Sequence, residues 1–380
     1  MKAMKLNPLL TLALTILILI GATTATLLYA EGWRFNAKTK TIQKTGMLAI
    51  RSVPEAAKVY LNSKITTATN DTIQSLTPGT YDVKVEKGGF EPWEKQIEIY
   101  PELVTDITAI LVSQSPRIEP LTNTGVSAFA MSGSLDKIAY TTKGAEKPGI
   151  WILPLSGGTL NLFKTNPNLV AEDTKDKTYS SAENIWWAPD DSELLIQMNQ
   201  QGYYLFDLQN QGKEPQELTD PSTVLDRWQK DLSKRRTALL EKQNISEELK
   251  AIALLPSTLW SPDDKKFMYL KNYGDVVEIN VHNMENPLPV GEKKDYVTYR
   301  LNKDSLKSVA WYPDSYNFFI LENQNLELMR VDGSNKTEIF SANGNLASNQ
   351  ICSSPWGDKV IILASFKQNA LPDLYAVGIR

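Results

Sequence analysis

Trp187–Gln197 reads WAPDDSELLIQ, Trp260–Leu270 reads WSPDDKKFMYL and Trp311–Leu321 reads WYPDSYNFFIL. Two degenerate copies flank them, MSGSLDKIAYT from Met131 and SSPWGDKVIIL from Ser353. Each copy joins a turn to a strongly apolar run. Proline presets φ for the first turn position and aspartate caps the turn through its side chain, so Pro-Asp-x is good hairpin chemistry. The near-continuous apolar run that follows suits a strand buried on both faces.

Working outward, a second strand follows most copies: GIWILPL, GYYLFDL, NLELMRV or DLYAVGI. A shorter outer strand then closes the unit, as in TLNLF, PQELT and KTEIF. Four strands per unit, repeated around a ring, describe a β-propeller blade. Five copies predict five blades over residues 113–380. The fifth ends at Arg380 without an outer strand. RIEPLT, Arg117–Thr122, looks like PQELT and has no blade of its own, so it is expected to complete the last blade and close the ring. A six-bladed ring remains the alternative if Tyr296–Asn302 belongs to a further blade. Successive copies start 56, 73, 51 and 42 residues apart, so two insertions interrupt the series. One is the polar stretch Thr165–Glu183. The other, about 220–254, reads as helix: Asp220-Pro221 caps it, Val224, Leu225, Trp228 and Leu232 share a face, and a second short helix starts at Ser246. The Trp-x-Pro-Asp units resemble the TolB-type propeller repeats. That resemblance implies a periplasmic or secreted scaffold that binds other macromolecules and brings no transferable site.

Upstream, residues 46–112 form alternating short segments, MLAIRS, KVYLNS, TYDVKVEK, EKQIEIY and VTDITAILV, separated by turn signals such as Pro78-Gly79 and Gly88-Gly89. They predict a small β-sandwich with polar outer faces. The stretch resembles the PEGA domain family through Pro54-Glu55-Ala56-Ala57, then Val59-Tyr60-Leu61, then LTPGTYDVKVEKGGF ending at Phe90. It departs at Ala56, where the naming motif has glycine, and at Ser63, where a turn glycine is usual. The resemblance implies an extracytoplasmic module, often beside a membrane anchor, with no catalytic residues.

Residues 9–30, LLTLALTILILIGATTATLLYA, carry no charge and are long enough to span the ~30 Å hydrocarbon core of a bilayer. Tyr29 and Trp33 sit where interfacial aromatics belong, and Lys2 and Lys5 precede the segment. A cleaved signal peptide with its apolar core at Leu9–Ile20 is the competing reading, and apolar character resuming at Leu27-Leu28 favours a retained anchor. The expected layout is a short basic tail (1–8), a transmembrane signal anchor (9–30), a linker (31–45), the sandwich and the propeller. The class is therefore all-β with one transmembrane helix. Arg34, Lys38, Lys40 and Lys44 outnumber the basic residues before the span and would favour the opposite topology. The short basic tail and both family resemblances favour an extracytoplasmic C-terminal part.

The formal net charge of −4 argues against nucleic acid as a partner. One cysteine, Cys352, forms no internal disulfide, and one histidine, His282, excludes any site needing two imidazoles. No G-x-S-x-G elbow, phosphate-binding loop or kinase loop is present. Asp71, Glu86 and Glu91 read as a solvated strand face rather than an acidic site. Asp190-Asp191 and Asp263-Asp264 recur at one repeat position, which turn chemistry explains better than calcium or paired acids. Glu172-Asp173 with Asp176 lacks the glycine and terminal glutamate of an EF-hand loop. His282 reads as a rim or surface residue, Cys352 as a buried small residue, and Lys234-Arg235-Arg236 as a solvated helix face. No catalytic, cofactor-binding or metal residue is assigned, and no cofactor is implied. The expected function is non-enzymatic: a bacterial cell-membrane protein held by the lipid bilayer through residues 9–30, presenting its propeller to a protein or cell-envelope polysaccharide. The alternative is a glycan-cleaving enzyme with carboxylates converging in the central channel.

Overall fold

The computed structural model describes residues 8–36, 40–155, 166–198, 202–210, 212–366 and 371–380. The chain divides near Leu111 into two compact units. The first opens with helix α1, Pro8–Ala30. Its residues 9–30 are long and apolar enough to cross a membrane, and every one of them is exposed. The hydroxyls of Thr15, Thr23 and Thr26 each donate to the carbonyl four residues back at 2.8 Å. Each hydroxyl is thereby satisfied within the helix itself.

The residues expected as a linker carry a hairpin, Trp33–Asn36 against Thr41–Lys44. A sandwich of two sheets follows. One has three strands in the order Asp71–Leu76, Gly46–Val53, Val104–Ile110, the last two parallel. The other has four, Lys64–Ala68, Lys58–Leu61, Gly79–Glu86 and Trp93–Ile99. Alternation along each strand sends Leu48, Ile50, Val59, Val83, Val85, Trp93, Ile97 and Ile107 into the space between the sheets.

In the second unit five four-stranded antiparallel sheets follow one another. The first comprises Phe129–Met131, Lys137–Thr142, Gly149–Pro154 and Asn168–Glu172, and the second Ala182–Trp187, Glu193–Met198, Gly202–Asp207 and Gln216–Leu218. The third comprises Leu259–Trp260, Lys266–Tyr273, Val276–Asn283 and Asp295–Asn302, and the fourth Leu306–Trp311, Asn317–Glu322, Asn325–Arg330 and Thr337–Ser341. The fifth runs Leu346–Ser353, Lys359–Ala364, Asp373–Gly378 and finally Ile118–Pro120. The chain therefore returns at its end to a strand laid down 255 residues earlier, with Glu119 opposite Ala376 and Pro120 opposite Tyr375. Tyr296–Asn302 is the outer strand of the third sheet, so it does not start a further blade. TLNLF, 159–163, lies outside the described residues; Asn168–Glu172 forms the outer edge of the first sheet. The stretch read as a polar insertion at Thr165–Glu183 thus contains this outer strand, a 3-10 turn at Tyr179–Ser181 and the start of the second sheet.

Adjacent residues in the repeat strands face opposite ways, which explains their unbroken apolar runs. In the second sheet Leu194 and Ile196 pack toward the first sheet, while Leu195 faces the other side. In the third, Met268 packs with the fourth sheet, while Phe267 faces away from it. The first and fifth sheets join through Phe129, Tyr140, Cys352, Ile361 and Leu363.

Between the second and third sheets the arrangement changes. Helix α2, Ser222–Leu240, lays Val224 and Trp228 on Leu195 and Leu205 of the second sheet. Its last residue, Leu240, joins helix α3, Glu247–Ala253, in covering Phe267 and Met284 of the third. Burying Trp228 alone is worth roughly 2–3 kcal/mol. The helical insertion is therefore a wedge filling the position of a neighbouring sheet.

Candidate functional site

The repeat residues show what the wedge replaces. Trp187 ends the first strand of its sheet, and its indole Nε1–H donates to the Ala130 carbonyl on the first strand of the preceding sheet at 3.0 Å. Trp311 does the same to Leu259 at 3.0 Å. Trp260 has no preceding strand to reach, and it donates instead to the Ala253 carbonyl at the end of α3, at 2.8 Å. The helix end supplies an acceptor because its last carbonyls have no partner within the helix.

The acidic repeat positions divide their work likewise. The first aspartate caps its own turn: Asp190 accepts from Ser192 N at 3.1 Å and Ser192 Oγ at 2.6 Å, and Asp314 accepts from Tyr316 N and Asn317 N at 2.7 and 2.9 Å. The Ser192 hydroxyl, followed by its N–H, holds the Asp190 carboxyl below the ordinary carboxylate value. The next residue lies in left-handed backbone in all five copies, with φ of 61, 59, 56, 61 and 59° at Leu135, Asp191, Asp264, Ser315 and Gly357. Two of these residues, Asp191 and Ser315, reach backwards. Asp191 accepts from Gly133 N of the first sheet at 2.8 Å, and Ser315 Oγ accepts from Asp263 N of the third at 3.2 Å. Asp264, facing the wedge, pairs with Arg235 of α2. Arg236 lies 5.4 Å from the Trp260 ring and is half-buried. The basic run Lys234-Arg235-Arg236, read as a solvated face, therefore puts two of its residues onto the third sheet.

Other predicted residues fall out as follows. Asp71 and Glu86 lie on strands of different sandwich sheets. Asp71 accepts from Thr67 and from Thr72 N, which lower its pKa, and Glu86 is lowered by hydrogen bonds from Lys84 and Tyr60. Neither joins Glu91 in a site. Asp173 accepts from Ser180 N at 2.8 Å and Ser180 Oγ at 2.5 Å, holding the turn before the second sheet. Cys352 is buried, and burial pushes its thiol up to about 12. His282 corrects the expectation of a rim or surface residue. It is 1% exposed, its ring centroid lies 5.2 Å from that of Phe267, and Nδ1 is 2.6 Å from Asp295 Oδ1. Sequence reading missed Lys266, which is fully buried and joins the third and fourth sheets: Nζ pairs with Glu285 and lies 3.9 Å from the Tyr316 ring centre. Its place directly before an apolar run was the available signal. Among the described residues no group of three or more His, Cys, Asp or Glu side chains is arranged to hold a metal. The first strands of the five sheets carry a single carboxylate, Glu183.

What the wedge leaves uncovered is the candidate interaction surface. Three strands of the third sheet run eight residues each and extend past α3. Register puts Tyr269, Tyr273, Val276 and Val297 on the face that α3 covers only in part. Tyr273 is 59% and Val297 57% exposed. A groove of about 410 Å³ runs between α3 and this face, lined by Glu248, Ile252, Tyr269, Lys271, Asn280 and Val297. Nearby, Arg300 Nε donates to Glu278 Oε2 at 2.6 Å. Burial works against ionisation of Glu278, but hydrogen bonds from Asn280 and Arg300 prevail and hold its pKa low. Register puts Lys271, Glu278 and Arg300 on this same face, as a charged row between Tyr273 and Val276 at one end and Tyr269 and Val297 beside α3.

In the sandwich, Ser52, Thr69 and Ala57 secure the Pro54–Ala57 turn: Thr69 Oγ1 accepts from Ala57 N at 3.0 Å and lies 2.5 Å from Ser52 Oγ. Ala56 and Ser63, the two departures from glycine, both sit in left-handed backbone, at φ 59 and 65°. Comparison with family models decides this segment. Residues 45–115 are a PEGA domain. The PEGA domain thus holds side chains in left-handed backbone at both positions. No curated protein sequence matches the chain. Among solved structures, the chain is similar to an oligogalacturonate lyase in complex with manganese, with TM-score 0.40, 9% identity and coverage of 70% of this chain and 93% of that one. It is also similar to TolB from Acinetobacter baumannii (TM-score 0.27, 12% identity, 88% and 64% covered). A putative TolB from Agrobacterium tumefaciens gives TM-score 0.26, 19% identity and 66% and 79% coverage. The propeller assignment rests on the five sheets and their repeat-to-repeat bonds in this chain.

Proposed function

We propose that this chain is a non-enzymatic binding protein of the bacterial cell envelope. Residues 1–8 lie inside, residues 9–30 are retained as the anchor, and the PEGA domain and propeller face outward toward a protein or envelope polysaccharide. The observation that carries this reading is the open face of the third sheet, where Tyr273 and Val276 at one end and Val297 beside α3 are exposed, with Lys271, Glu278 and Arg300 between them. Exposed aromatic and aliphatic side chains clustered on a rigid sheet mark interaction surfaces. A lone Glu183 on the first strands supplies no carboxylate pair for glycan cleavage.

The test is capture from envelope extract with the detergent-solubilised full chain and its Tyr273→Ser/Val297→Ser variant. Partners held by the intact chain are expected to be lost with the variant. A partner set unchanged by the double substitution, or no partner at all, refutes the reading. Orientation is tested by protease on intact cells, with cleavage expected in the exposed α2–α3 connection near Gln243. Cleavage only after lysis would place the propeller in the cytoplasm.

A further inference from the structure

We infer that the hairpin Trp33–Asn36/Thr41–Lys44 is a lipid-surface contact, inserting Phe35 and Ile42 at the headgroup boundary. This rests on the reading of residues 9–30 as a retained anchor. The geometry begins at the end of α1. Gly32 N–H donates to the Tyr29 carbonyl at 3.2 Å, and Gly32 adopts φ 85°, so the chain turns aside as the helix stops. Arg34 then reaches back: Nη1 donates to the Tyr29 carbonyl at 2.6 Å, and the guanidinium lies 3.5 Å from the centre of the Tyr29 ring. Residue 34 is thereby tied to the last turn of the span instead of climbing away from it. Thr45 N and Oγ1 both donate to the Gly32 carbonyl, at 3.0 and 2.9 Å, which closes the hairpin on the same turn.

Register places Phe35 opposite Ile42 and Trp33 opposite Lys44, so these four share one face. Arg34, Gln43 and Thr41 occupy the other. Phe35 is 67% and Ile42 62% exposed, an apolar cross-strand pair left open by the described residues. A span of 22 residues rises about 33 Å, so its end reaches the edge of the ~30 Å hydrocarbon layer, and the headgroup zone extends only about 5–8 Å further. A hairpin anchored to the last helical turn begins within that zone. Its composition fits: aromatic and aliphatic side chains lie on one face, Lys40 stands exposed just before the second strand for lipid phosphates, and Lys44 is held by Glu102.

The experiment uses the full chain in liposomes of phosphatidylcholine and phosphatidylglycerol. A thiol-reactive fluorophore is placed at Phe35→Cys, Ile42→Cys, Thr41→Cys, Gln43→Cys or Ala22→Cys. Cys352 is buried and stays unlabelled. Lipids bearing a nitroxide near the headgroup or deep in the chain quench the probe. Shallow quenching at positions 35 and 42 is expected to be at least about twice that at 41 and 43, because alternate side chains point to opposite faces. Equal quenching on both faces, or more at 41 and 43, overturns the inference while deep quenching at position 22 still upholds the anchor. Absence of quenching at position 22 removes the anchor and this inference with it.

Discussion

Replacing Thr122 by valine tests ring closure at its most buried point. Thr122 and Asp373 are 8% and 9% exposed and lie 251 residues apart in sequence. The Thr122 hydroxyl donates to Asp373 Oδ1 at 2.8 Å and accepts from Leu374 N at 3.0 Å. Gly125 N donates to the same carboxylate oxygen at 3.0 Å. Valine keeps the side-chain shape, so no cavity term enters. The change removes one hydrogen bond to a charged acceptor, worth about 1.5–3 kcal/mol, and one neutral bond of about 1 kcal/mol, giving a loss of roughly 2–4 kcal/mol. For a unit of this size about 1 kcal/mol corresponds to about 2–4 °C, so Thr122→Val is expected to lower the propeller melting temperature by roughly 4–16 °C. Thr122→Ser keeps both bonds and serves as the control. Scanning calorimetry of the full chain in detergent reads the difference. Equal melting of the valine and serine variants would show that the contact between the first and last strands does not hold the ring.

Three further outcomes follow from local geometry. Ala56→Gly is expected to stabilise the PEGA domain by about 0.5–1 kcal/mol in denaturant titration, because an L side chain costs about 1–2 kcal/mol in left-handed backbone and glycine's larger unfolded-state entropy returns part of that. Gly357→Ala is expected to cost more than about 2 kcal/mol, since it adds left-handed strain to overpacking. A Cβ there would lie 2.4 Å from the Tyr312 ring; a melting temperature unchanged from the parent would show that the ring has room to move. Cys352, with its thiol pushed up to about 12, is expected to resist maleimide at neutral pH until the propeller is unfolded. Stoichiometric native labelling would contradict its burial.

Much of the propeller is legible in the chain because its signals are local. Pro-Asp at Pro189-Asp190, Pro262-Asp263 and Pro313-Asp314 specifies turns, and the apolar runs after them specify strands buried on both faces. RIEPLT near the front and a last unit lacking its outer strand were enough to pair Ile118–Pro120 with the end of the chain. The uncharged Leu9–Ala30 segment is likewise legible from composition alone as an apolar helix long enough to cross a membrane. Tertiary structure decided what covers each face. The α2–α3 pattern reveals helices, but only packing makes them a wedge that takes the Trp260 hydrogen bond otherwise made to a neighbouring strand. His282 and Lys266 are polar letters in a strand, and their burial depended on Phe267, Asp295, Glu285 and Tyr316 arriving from elsewhere. The exposed face around Tyr273 and Val297 exists because two helices cover less of an eight-residue sheet than another sheet would. A turn or a run of apolar residues is dictated by neighbours in sequence, whereas burial is a property of pairs of surfaces, and those surfaces meet only once the chain has folded.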